Sequence, residues 1–64
     1  MANKHEYAIG DMVVVVKGQF KGTEGRIVNK RIVGDNPDNY DYSVSYTSGG
    51  GHWHYGSQLK GDDE

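Results

Sequence analysis

Residues 13–28 read Val13-Val14-Val15-Val16-Lys17-Gly18-Gln19-Phe20-Lys21-Gly22-Thr23-Glu24-Gly25-Arg26-Ile27-Val28, and this stretch decides the fold. A β-branched run leads into it and a second apolar pair leaves it. Between them Gly18, Gly22 and Gly25 fall four and then three residues apart. Glycine takes positive φ without steric cost, so the spacing predicts a tight, non-helical connection between two paired strands. Lys17, Lys21 and Arg26 make the connection cationic, with Phe20 among them.

Outward from this stretch, strand signals continue and helix signals do not. No glycine-free window carries the 3.6-residue apolar period of a helix. Met12–Val16 is an apolar run opened by Gly10-Asp11. Residues 26–33 join Ile27, Val28, Ile32 and Val33 to the polar Asn29-Lys30-Arg31. Gly34-Asp35-Asn36-Pro37-Asp38-Asn39 collects turn formers, and Pro37 disfavours helical geometry at Asn36.

Residues 40–47 alternate most clearly, with Tyr40, Tyr42, Val44 and Tyr46 on one parity and Asp41, Ser43, Ser45 and Thr47 on the other. This is a strand with one core face and one wet face. Ser48-Gly49-Gly50-Gly51 predicts a hairpin turn, His52–Tyr55 a return strand, and Gly56–Leu59 a single 3-10 turn that returns Leu59 to the core.

The expected fold is all-β: a small barrel of four to five short antiparallel strands with one 3-10 turn near the C-terminus. Closing the sheet answers the edge-strand problem of an open one. The expected core is Ile9, Val13, Val15, Ile27, Ile32, Tyr42, Val44, Tyr46 and Leu59. With 64 residues there is room for one domain, taken as residues 7–60 between a flexible segment 1–6 and a disordered acidic tail 61–64. A chain this short buries only about 60% of its extended surface, which argues against a deep catalytic cleft.

The chain has no cysteine, which excludes disulfides and thiolate metal sites. Residues 1–6 hold no apolar segment of the kind that opens a secretory signal, and no run has the length of a membrane span. The expectation is a cytoplasmic monomer with no cofactor. The formal net charge of −2 conceals a strong asymmetry, +4 over residues 17–31 and −5 over residues 32–64. Such a dipole steers an anionic partner to one face despite the negative total.

Gly10-Asp11, Val13, Val15, Gly18, Lys21-Gly22, Gly25 and Ile27 together resemble the KOW motif, found in SH3-like barrels of ribosomal proteins and of elongation factors related to NusG. The resemblance covers residues 9–33. Tyr40-Asp41-Tyr42-Ser43-Val44-Ser45 with the closing Leu59-Lys60 is similar to small SH3-like proteins of the YorP type carried by prophages. The KOW resemblance implies an SH3-like barrel whose glycine loop touches RNA or a protein, with Lys17, Gln19, Phe20, Lys21 and Arg26 as the contacting residues.

Chemistry on the chain itself points the same way. Lys17, Lys21, Arg26, Lys30 and Arg31 offer cations to phosphates, and exposed aromatics offer stacking surfaces to bases. The leading expectation is therefore a non-enzymatic module contacting RNA or single strands through loop 17–26. The alternative is a protein-binding module, of phage or prophage type, that takes a host factor in an aromatic groove of Tyr40, Trp53 and Tyr55.

His52 and His54, at i and i+2, share one face of a strand and supply two metal donors; a third would have to come from His5 or Asp41. The favoured reading turns Trp53 and Tyr55 inward and both histidines to water, with no metal. No serine has an evident base and no helix follows Gly25 to receive a phosphate, so no catalytic residue is assigned.

Overall fold

The computed structural model describes residues 5–62. It is all-β. Strands β1 (Met12–Val15), β2 (Glu24–Arg31), β3 (Asp41–Tyr46), β4 (Gly51–Tyr55) and β5 (Leu59–Gly61) form one antiparallel sheet in the order β4-β3-β2-β1-β5. This is the strand order of a small SH3-like barrel, with β4 and β5 left, among the described residues, as unpaired edges where closure of the sheet was expected. Consecutive strands from β1 to β4 are neighbours, and the chain then crosses to the far edge through the 3-10 turn Gly56–Gln58 to lay β5 beside β1.

A second 3-10 turn, Pro37–Asn39, joins β2 to β3. Asn36 Oδ1 accepts the Asp38 N–H at 3.0 Å, and Pro37 sets the backbone at the first position. The turn formers of residues 34–39 therefore build a defined element where only a loop was expected.

The core gathers Tyr7, Val13, Val15, Ile27, Tyr42, Val44, Tyr46 and Leu59, with Phe20 and Tyr40 packed against it. Alternation places these side chains: β1 and β3 each send every second residue inward, as the sequence predicts. Two expected members are absent from the core. Ile9 is 64% exposed and Ile32 63% exposed. Ile32 lies just past the end of β2, where no partner strand holds its phase. Ile9 sits in the turn that enters β1, and the inward position goes instead to Tyr7. The Tyr7 hydroxyl donates to Leu59 O at 3.0 Å, and its ring meets Tyr42 edge-on at 5.4 Å.

Strand β2 contains a bulge. Ile27 pairs with Val44 and Asn29 with Ser43, so Val28 is an extra residue on one side of the ladder. Before it, Gly25 and Ile27 face the core and Arg26 faces out. After it Asn29 and Arg31 stand opposite the outward Ser43 and Asp41, while Lys30 stands opposite the inward Tyr42.

Residues 1–4 and 63–64 of the two expected terminal tails lie outside the described residues. His5 O accepts from the Tyr42 hydroxyl at 3.3 Å, and Asp62 N–H donates to Met12 O at 3.0 Å.

Candidate nucleic-acid interface

The β1–β2 connection is two successive turns. Lys21 N–H donates to Gly18 O at 3.2 Å and Thr23 N–H to Phe20 O at 3.0 Å, while Gly22 N–H returns to Val15 O at 2.6 Å. Gly18 and Gly22 hold φ of 92° and 93°, values that a side chain strongly disfavours. Gly25 works differently. A Cβ there would lie 2.5 Å from Val44 Cγ1 and 2.6 Å from Ser45 O, so this glycine lets β2 approach β3 closely.

The turns leave Lys17, Gln19 and Lys21 exposed. They send Phe20 the other way. Its ring stacks on His52 at 4.6 Å and packs against Tyr46 at 5.5 Å and His54 at 6.1 Å. Phe20 is thus the loop's anchor to the barrel.

The five cations of residues 17–31 divide among three places. Lys17 and Lys21 ride the loop. Arg26 and Arg31 stand on the outer face of β2. Lys30 lies on the opposite side of the strand, its Nζ 4.0 Å from Glu6. Near the loop's exit, a hydrogen bond with Asp62 holds the Glu24 carboxyl above the usual carboxylate range.

Trp53 and Tyr55, 45% and 54% exposed, also belong to the outer face, opposite Ser43 and Asp41. The Arg31 guanidinium lies 4.6 Å above the Trp53 ring and bonds Asp41 Oδ2 at 2.8 Å. One row across three strands therefore reads Arg31–Asp41–Tyr55, and the next reads Asn29–Ser43–Trp53. Tyr40 is not on this face. It packs against the core, its ring 6.4 Å from that of Tyr42.

Strand β4 is inverted relative to the sequence reading. His54 is buried, 7% exposed, and Trp53 and Tyr55 face out. The hairpin fixes this phase: Tyr46 N–H donates to Gly50 O at 2.9 Å, which sets His52 opposite Val44 and His54 opposite Tyr42. The buried imidazole is satisfied, with Nε2 2.6 Å from the Tyr46 hydroxyl. Burial lowers the His54 pKa, and the neighbouring His52 lowers it further. Sequence reasoning missed this cluster of Phe20, Tyr46, His52 and His54, although the hairpin's loop length was a usable signal.

The two third donors considered for a metal are engaged elsewhere. His5 Nδ1 lies 2.7 Å from Asp38 Oδ1, and Asp41 holds Arg31. Among the described residues no three His, Cys, Asp or Glu side chains converge as a metal ion requires. Among them, too, no helix is long and apolar enough to cross a membrane.

No protein-family model, curated protein or solved structure matches this chain.

Proposed function

We propose that the chain is a non-enzymatic module that contacts single-stranded nucleic acid, RNA first, on the outer face of β2–β4 and on the cationic β1–β2 loop. The observation that carries this reading is the grouping of Arg26, Arg31, Trp53 and Tyr55 on one exposed face, with a guanidinium stacked over the indole. Aromatic rings stack any base, at about 1–3 kcal/mol each, and arginines neutralise the phosphates between them. Lys17, Gln19 and Lys21 extend the cationic surface; Phe20 supports the loop from beneath and makes no contact itself. The KOW-like spacing of residues 9–33 agrees with this use of the loop. The same reading places the protein in the cytoplasm.

The chain's single tryptophan makes the test direct. An RNA oligonucleotide added at low salt is expected to quench Trp53 emission and to shift the amides of residues 17–22, Arg26 and Arg31. With three to four phosphates neutralised, log affinity should fall with log salt at a slope of about −2 to −3. Unchanged emission and unchanged shifts at low salt would refute the reading. A second reading, capture of an extended peptide, is favoured by the apolar Ile32 and Val33 exposed just beyond Arg31. Shifts on Trp53 and Tyr55 with a peptide and none with RNA would select it.

A further inference from the structure

Among the described residues, the edge of β4 is open at two positions only. Tyr46 N–H donates to Gly50 O at 2.9 Å and Gly56 N–H to Tyr40 O at 3.0 Å. With Val44 opposite His52 and Tyr42 opposite His54, these are the hydrogen-bonded pairs of the hairpin. Bonded and non-bonded pairs alternate along an antiparallel ladder, so Gly51, Trp53 and Tyr55 direct N–H and C=O away from β3. The Tyr55 N–H is taken by Gln58 Oε1 at 3.1 Å. Gly51 and Trp53 keep theirs turned to the outside, and β4 has no lysine, proline or bulge of the kind that guards an edge. The other edge, β5, is three residues long with Lys60 at its centre.

We propose that the β4 edge pairs with the β4 edge of a second copy of the chain. The two strands run antiparallel about a two-fold axis, Gly51 of each copy opposite Trp53 of the other. The pattern is self-complementary. Two open residues at i and i+2 present two donors and two acceptors, which a two-fold axis through His52 matches with their own equivalents.

Side chains favour this occupant as well. Trp53 stands on the outer face, and the residue it meets across the axis is glycine, whose bare backbone the indole covers. The Gln58 cap on Tyr55 excludes the neighbouring register, in which Gly51 would bond to Tyr55. The pairing joins two five-stranded sheets into one and sets their outer faces side by side. It does not depend on what those faces bind.

Sedimentation velocity across a wide concentration series, with no ligand added, tests the pairing. The mass is expected to rise toward that of two chains, and the amides of Gly51 and Trp53 to gain protection from hydrogen exchange as it does. A chain synthesised with an N-methyl group on the Trp53 amide keeps every side chain and every β3–β4 hydrogen bond. It should show the same circular dichroism and remain a single chain. A single-chain mass at all concentrations, protection appearing elsewhere than Gly51 and Trp53, or a dimer indifferent to the methyl group would each overturn the proposal.

Discussion

The Tyr46 hydroxyl meets His54 Nε2 at 2.6 Å inside the barrel, one strand to the next. The contact allows an imidazole to occupy a core position, because each polar group satisfies the other. Tyr46→Phe would leave His54 buried without that partner, at a cost of about 1–3 kcal/mol in urea unfolding. A loss under a few tenths would show that the hydrogen bond contributes nothing.

The same histidine gives stability a pH dependence. Its folded pKa lies below the unfolded 6.5, because burial and then the His52 charge oppose protonation, with a Gln58 hydrogen bond acting the other way. Neutral His54 therefore supports the fold above pH 6.5, and that support is lost as pH falls through the lowered folded value. The urea midpoint should decline from neutral toward mildly acid pH, and His54→Phe should flatten the decline. An equal decline in both proteins would assign it to other groups.

Gly25→Ala and Gly18→Ala should both destabilise, for different reasons. At Gly18 the cost is backbone strain at positive φ, about 1–2 kcal/mol. At Gly25 a methyl group collides with the Val44 side chain and with the Ser45 carbonyl, which belongs to the ladder and has nowhere to go. The cost there is about 3 kcal/mol, the upper end of overpacking. Thermal melts of the two variants, compared side by side, check the order.

Phe20→Ala should release the cationic loop from the barrel. The half-buried ring contributes about 1 kcal/mol of stability. The sharper readout is hydrogen exchange at the Gly22 and Thr23 amides, whose turn bonds depend on the anchored loop. Exchange rates equal to those of the parent chain would show that the turns hold without the ring.

Arg31→Lys keeps the charge and removes the planar guanidinium that lies over Trp53. RNA affinity should fall several-fold while its salt slope stays the same. Unchanged affinity would mean that Arg31 acts through its charge on phosphate alone.

Much of the architecture was legible because it rests on local rules. The alternation of residues 40–47 and the turn chemistry around Gly18 and Gly22 describe strands and a connection that the structure contains. The 3-10 turn before Leu59 was readable for the same reason. Face assignment in β4 was not, since composition favours burying Trp53 and Tyr55 whereas the phase comes from the hairpin bond at Gly50. Burial of His54 became acceptable only with Tyr46 across from it, a relation between strands that no local pattern carries. The cations of residues 17–31 read as one patch in sequence; folding sends Lys30 to one side and Arg31 to the other.

That last division traces to Val28. One residue without a counterpart in β3 works like a spatial frameshift: every position after it answers to the opposite surface from the one its parity promised. Deleting Val28 would keep Asn29, Lys30 and Arg31 opposite Ser43, Tyr42 and Asp41, whereas a regular register that paired Val28 with Ser43 would turn Arg31 inward and take its guanidinium away from the indole. The solvent-facing chemistry of the sheet is thus written in the length of one strand as much as in its composition, and a one-residue slip that gave Val28 a partner would re-aim several side chains at once without substituting any of them.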